Sequence, residues 1–270
     1  ISAVEAQAYK KKLRNIMKYL QTCDGNMDEG SLRADINVSV RKPGDDLGTR
    51  CEIKNVNSIK FIGQAIDYEA KRQIDLIENG GKIKQQTRLF DPKKGQTRSM
   101  RSKEEAHDYR YFPDPDLLPL TFTDEFVESI RKTLPELPDI RRNRFVDNFD
   151  LSPYDAGILV SEKETADYFE IASKGSNSKL VCNWIVGELF SILNKDNITI
   201  AKSPITPENL GKLINLIDDG TITGRIAKDV FEIMVETGND PISIVNSNDM
   251  KQVSDEGQIE KIIEAIMQSN

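Results

Sequence analysis

The chain has 270 residues, 38% of them hydrophobic and 30% charged, the balance of a globular protein with one large domain or two ordinary ones rather than of a disordered tail. No apolar run approaches the ~18 residues that cross a bilayer, and no basic stretch followed by an apolar one marks a secretory leader. A net charge of −7 argues against wholesale wrapping of nucleic acid while leaving room for a local basic surface.

Three scattered cysteines, Cys23, Cys51 and Cys182, offer neither a disulfide framework nor a zinc pattern, so a reducing cytoplasm is the expected location. Both ends, at Ile1 and Asn270, fall beside helical patterning, which reads as a piece of a longer protein. Helices alternate with strand-like segments up to about Leu120, and nearly everything beyond Thr123 has helical period.

Ala3 to Thr22 carries Leu13, Ile16, Met17 and Leu20 on one helical face and stops at Gly25 and Asn26. Leu32 to Arg41 alternates strictly, with Leu32, Ala34, Ile36, Val38 and Val40 on one side and Arg33, Asp35, Asn37, Ser39 and Arg41 on the other. That period of two predicts a half-buried strand. The turn-forming run Pro43 to Gly48 breaks it, and Thr49 to Asn55 resumes with Arg50, Glu52 and Lys54 on one face, so a hairpin with a long loop is expected.

Ser58 is the expected N-cap of a helix to about Glu78, with an apolar stripe of Ile59, Ile62, Ile66, Ala70, Ile74 and Ile77. Short strands follow at Ile83–Phe90 and Gln96–Arg101, then an aromatic, proline-rich loop from Asp108 to Pro115. Pro135 and Pro138 mark a linker and Pro153 a break. Helices are expected near Glu162–Ser173, with Ser161 and Glu164 as a capping box, and near Asn177–Asn194, Thr206–Asp218, Thr223–Glu236 and Ser254–Ile266. No internal repeat, P-loop or GxGxxG sequence is present.

The polar face of the hairpin carries the chemistry. Residues opposite one another in an antiparallel pair project to the same side, so Asp35 and Glu52 share a surface if the faces match. Two carboxylates beside Asn37 and Ser39 are hard oxygen ligands suited to Mg²⁺, and Arg33, Arg50 and Lys54 are placed to neutralise phosphate charge. The plainer reading of the same pattern is a set of surface salt bridges, each worth about 0–1 kcal/mol. Asn55 and Asn57, leading into a helix N-terminus, suit either anion binding or ordinary turn chemistry.

At these residues a resemblance becomes specific. Asp28-Glu29-Gly30-Ser31-Leu32-Arg33-Ala34-Asp35-Ile36-Asn37-Val38-Ser39, then Gly48-Thr49-Arg50-Cys51-Glu52-Ile53-Lys54-Asn55-Val56-Asn57-Ser58, resemble the B subunit of the bacterial glutamyl/aspartyl-tRNA amidotransferases. So do Tyr68-Glu69-Ala70-Lys71-Arg72-Gln73, Gln86-Thr87-Arg88, Asp108-Tyr109-Arg110-Tyr111-Phe112-Pro113-Asp114-Pro115-Asp116, Leu134-Pro135-Glu136-Leu137-Pro138 and Asn183-Trp184.

The resemblance implies an α+β fold: a partial cradle-like domain over residues 1–135 with a mainly antiparallel sheet, an all-α helical domain over 136–250, and at 251–270 the first helix of a tRNA-binding tail. It implies a ligase subunit that uses ATP and Mg²⁺ to phosphorylate the side-chain carboxylate of Glu-tRNA(Gln) or Asp-tRNA(Asn). Ammonia supplied by an amidase A subunit, in a complex with a small C subunit, then forms the amide.

Asp35 and Glu52 stand at positions resembling two of the family's metal-holding acids. Lys54 and Asn55 are expected beside the reaction, and Arg33, Asn37 and Arg50 near the nucleotide. Arg110, Tyr109 and Tyr111 are weaker candidates for contact with tRNA or the ammonia channel. Further acidic residues that complete the family's site lie upstream in the family and are not in this sequence, so the piece alone is expected to be inactive. The alternative is a non-enzymatic RNA-binding or assembly module whose hairpin acids are only salt-bridged.

Overall fold

The computed structural model describes residues 2–102 and 116–250. The expected aromatic loop with Arg110, Tyr109 and Tyr111, and the expected helix at Ser254–Ile266, lie outside the described residues. The fold class is α+β, and the chain divides into two compact units, Ile1–Glu136 and Leu137–Asn270. Their charges differ. The first unit has 24 Lys and Arg against 22 Asp and Glu, and the second 13 against 22, so the net negative charge is carried by the second unit.

In the first unit, α1 (Ala3–Tyr19) is capped by Ser2, whose hydroxyl accepts from the Glu5 amide. Strand β1 (Ile36–Val38) pairs antiparallel with β2 (Cys51–Lys54) in the register Ile36 to Ile53, Asn37 to Glu52 and Val38 to Cys51. The ladder is only three residues long, yet side-chain exposure alternates without a break from Leu32 to Arg41. The period of two therefore outlasts the hydrogen-bonded strand.

Helix α2 (Ile59–Glu78) begins where Ser58 Oγ accepts from the Phe61 amide at 3.1 Å. It carries the chain across the sheet to β3 (Gln86–Asp91), which pairs parallel with β2, and β4 (Gln96–Ser102) returns antiparallel to β3. The sheet is thus mixed, in the order β1-β2-β3-β4. Its central parallel pair follows from the helical crossover, since parallel neighbours need a long connection.

Behind the sheet, Val38, Ile53, Ile62, Ala65 and Phe90 form the buried core. The buried face of α2 differs from the expected stripe. Ile62, Ala65, Glu69 and Gln73 are buried, whereas Ile74 and Ile77 are 44% and 45% exposed. Helix α3 (Asp124–Arg131) follows, capped by Thr123 and with no buried residue.

Every regular element in the described part of the second unit is helical. The α-helices are α4 (Pro138–Phe149), α5 (Pro153–Leu159), α6 (Lys163–Ala172), α7 (Ser178–Trp184), α8 (Phe190–Asp196), α9 (Pro207–Asp218), α10 (Gly224–Thr237) and α11 (Pro241–Ser247), with a short 3-10 turn at Ile200–Lys202. Of the prolines expected to mark a linker and a break, Pro135 lies in irregular chain beside the boundary between the units, while Pro138 and Pro153 open helices. Pro207, as Thr206-Pro207-Glu208 suggested, and Pro241 also stand in a first turn, where a missing N–H costs nothing.

The expected capping box at Ser161 does not form. Glu162 is the N-cap of α6, and Ser161 Oγ donates to the Ile158 carbonyl instead. The expected single helix from Asn177 to Asn194 contains a π-helical turn, Ile185–Leu189, between α7 and α8. The core of this unit includes Phe145, Phe169, Val181, Ile185, Leu210 and Phe231. Gly211 of α9 faces α6, where a Cβ would lie 2.7 Å from the Ala172 carbonyl oxygen.

Candidate functional site

The front face of the first unit's sheet, opposite α2, gathers the polar residues of β1 and β2. The register places Asn37 directly across from Glu52. One step out, Lys54 Nζ lies 2.9 Å from Asp35 Oδ2 and 3.2 Å from Glu52 Oε1. The two acids therefore share a face, as the periodicity required, and both turn toward one ammonium. Asp35 is about half exposed, Lys54 a third and Glu52 much less. The Asp35 carboxylate raises the Lys54 pKa above its ordinary value; partial burial opposes it, and Glu52 adds to the rise. The lysine stays charged.

Strand β3 contributes Thr87, which is fully buried and whose Oγ1 donates to Glu52 Oε2 at 3.1 Å. Arg33, Asn37 and Arg50 are exposed at the margin of this face. The Arg33 carbonyl receives the Lys10 ammonium of α1 at 2.7 Å, tying the strand's approach to that helix. Asn55 follows β2 with φ of +65°, a left-handed conformation that Asn tolerates better than most residues. Its Nδ2 donates to the Phe90 carbonyl at 3.0 Å, so its side chain secures the end of β2 to β3. Arg110, Tyr109 and Tyr111 lie outside the described residues.

Among the described residues no group of three or more His, Cys, Asp or Glu converges as a metal site. Asp35 and Glu52 nonetheless supply two hard oxygen donors that already enclose a positive charge. Mg²⁺ needs only one or two protein carboxylates, with water and phosphate oxygens completing its shell. The donor set fits that requirement in kind.

The rear face holds a cluster that the alternation of the hairpin does not reveal. Glu69 of α2 has no exposed surface. It accepts from Arg72 at 2.5 and 2.9 Å, from Gln73 at 2.9 Å and from Thr97 at 2.9 Å, and pairs with Arg88 at 3.2 Å. Arg88 also donates to the Thr97 hydroxyl and carbonyl, and Gln73 to the Val38 carbonyl. Burial alone would raise the Glu69 carboxyl, but the bonds from Arg72, Gln73 and Thr97 and the charge of Arg72 hold it below its ordinary value. One helix is thereby bonded to β1, β3 and β4. Glu69 lies seven residues after Ile62, two helical turns on the same face, and that spacing was the available signal.

Three arginines near the unit boundary form ion pairs. Arg141 is buried and pairs with Asp167 at 2.6 Å and Glu170 at 2.9 Å, Arg144 pairs with Glu170, and Arg131 with Glu128. Arg141 and Arg144 join α4 to α6. No helix among the described residues is long and apolar enough to cross a membrane.

Comparison with known proteins agrees with these motifs. The profile of the GatB/GatE catalytic domain matches residues 1–128, and that of the GatB domain matches residues 167–270. The chain is 61% identical over 269 residues to the B subunit of the aspartyl/glutamyl-tRNA(Asn/Gln) amidotransferase of Rhizobium meliloti (strain 1021), covering 100% of this chain and 54% of the relative. The proteins of the same description from Bartonella tribocorum and Mesorhizobium japonicum match with the same identity and coverage. The chain thus spans about half the length of the curated relatives it matches. Two profiles of one protein covering most of the sequence, with relatives aligned along all of it, show that the chain belongs to the family of amidotransferase B subunits.

Proposed function

We propose that the Asp35–Glu52–Lys54 face is part of the site where a tRNA-dependent amidotransferase activates a misacylated tRNA. The substrate is Glu-tRNA(Gln) or Asp-tRNA(Asn), as the relatives' names suggest. What carries this reading over a face that is only salt-bridged is the likeness of residues 1–128 to the GatB/GatE catalytic domain, together with two carboxylates that meet on one sheet face. In the complete protein, within a cradle-like domain, Asp35 and Glu52 would hold Mg²⁺, which supplies charge neutralisation for the phosphates of ATP. Lys54, Arg33 and Arg50 provide positive charge for the same phosphates, and Asn37 an amide for hydrogen bonding.

A carboxylate is a poor electrophile, and the chemistry remedies that. An oxygen of the tRNA-borne side chain attacks the γ-phosphorus of ATP, ADP leaves, and an acyl phosphate forms. Ammonia from the A subunit attacks the carbonyl carbon and inorganic phosphate departs with the carboxylate oxygen, leaving the amide. The active form is the cytoplasmic complex with the A and C subunits, and the 270-residue chain alone is inactive.

The test is isotopic. Glu-tRNA(Gln) carrying ¹⁸O in its side-chain carboxylate is turned over by the complete complex, and the phosphate is analysed by mass spectrometry. One ¹⁸O per phosphate is expected. Unlabelled phosphate accompanying labelled amide overturns the phosphorylation step. The second reading, a salt-bridged module without chemistry, takes its support from Lys54 pairing with both acids; it predicts that no substitution on this face alters turnover.

A further inference from the structure

Thr87 stands in the Gln86-Thr87-Arg88 motif without a role of its own. Its position is unusual. It faces the front of the sheet beside Glu52, its register partner across the parallel pair, and it is fully buried. The pairing of β3 with β4 shifts register between Thr87 and Arg88. The extra residue there is Met100 of β4, so β3 runs on without an insertion from Thr87 to Arg88. Arg88, the next residue, faces the rear and is bonded to Thr97 at 2.8 and 2.9 Å and paired with Glu69 at 3.2 Å. The β3 backbone next to Thr87 is thus held from behind through Arg88 while the hydroxyl is presented in front.

We propose that Thr87 is the positioning residue for Glu52, its hydroxyl setting the direction in which that carboxylate presents its oxygens to the cation on this face. Thr87 Oγ1 donates to Glu52 Oε2, and Lys54 approaches Oε1. Each oxygen of the carboxylate therefore meets a different donor. Without the hydroxyl, rotation of the carboxylate about its last bond is less restrained, and one oxygen loses its bond to a neutral donor in a buried place. The inference rests on the proposed role of Glu52.

The test uses the complete B subunit assembled in its complex. Thr87→Val keeps shape and removes the donor, while Thr87→Ser keeps the donor. Two quantities are read: Mn²⁺ affinity by electron paramagnetic resonance with no substrate present, and the Mg²⁺ dependence of tRNA-stimulated ATP cleavage. Thr87→Val is expected to weaken Mn²⁺ binding and raise the Mg²⁺ requirement, each about tenfold, the typical lower bound for losing a bond to a ligating group. Thr87→Ser should stay within about twofold of wild type on the same scale. Thr87→Val with unchanged values overturns the proposal, and so does Thr87→Ser failing as badly as Val. Glu52→Gln is run alongside. If Glu52→Gln loses activity and Thr87→Val does not, only the positioning role falls; if Glu52→Gln keeps full activity, both fall.

Discussion

Replacing Glu69 by Gln should unsettle the first unit more than any other single change of similar size. The carboxylate has no exposed surface and receives bonds from Arg72, Gln73 and Thr97 besides its pairing with Arg88. The amide preserves shape but removes the charge that balances two guanidinium groups, one of them 9% exposed. Breaking a buried pair by removing one partner costs about 3–5 kcal/mol. Arg72, 22% exposed, regains some water, which favours the lower end of that range. A loss of about 3 kcal/mol is a large share of the ~5–15 kcal/mol that holds a domain folded. It would lower the melting temperature by on the order of 10 °C or more for a unit of this size.

The assay is hydrogen exchange read by mass spectrometry, comparing peptides from α2, β3 and β4 with peptides from α9 and α10. Protection should fall in the first set and persist in the second. A pH series adds a second check with a definite sign. Because folding depresses the Glu69 pKa below the ordinary carboxyl value of 4.5, the unfolded chain binds the proton more readily. Its contribution is present above about pH 4.5 and is lost as pH falls through the lower folded value. The gap between wild type and Glu69→Gln should therefore close in acid. Equal protection at neutral pH, or a gap that widens as pH falls, refutes the reasoning.

Other outcomes follow from the remaining contacts. Arg141→Met, which loses pairings to Asp167 and Glu170, should destabilise the second unit by about 1–3 kcal/mol and leave the salt dependence of tRNA binding unchanged; urea unfolding and binding at several salt concentrations check both. Gly211→Ala should cost about 1–3 kcal/mol, because its Cβ meets the Ala172 carbonyl oxygen, visible as a lowered melting temperature. Burial pushes the Cys182 thiol up to about 12 and raises Cys51 as well, so at about pH 8 a thiol reagent should label the part-exposed Cys23 well before the other two.

The front face was legible in the sequence because a strand writes its two sides in alternate letters. Exposure alternates from Leu32 to Arg41 even where the ladder has ended, and Asp35, Glu52 and Lys54 meet as that alternation requires. The parallel pairing of β2 with β3 was not legible, because strand patterning carries no direction. Thr87 was hidden for the same reason: only the register shows that it stands beside Glu52.

On α2 the apolar letters misled. Ile74 and Ile77 extended a stripe that the packing abandons, and the buried face continues instead through Glu69 and Gln73. A carboxylate can occupy a core position when enough donors reach it, and those donors come from strands far along the chain. In the second unit the prolines read as breaks are first-turn residues. A proline ends one helix and permits the next with the same chemistry, so the letter alone does not say which.

The most direct test of the proposed site is ATP cleavage by the complete complex carrying Asp35→Asn or Glu52→Gln, dependent on Mg²⁺ and stimulated by misacylated tRNA. The glutaminase activity of the A subunit serves as the control for assembly. Loss of ATP cleavage in both variants with glutaminase intact is the expected result; wild-type cleavage in both would mean that the carboxylates only brace the sheet and that the chemistry lies elsewhere.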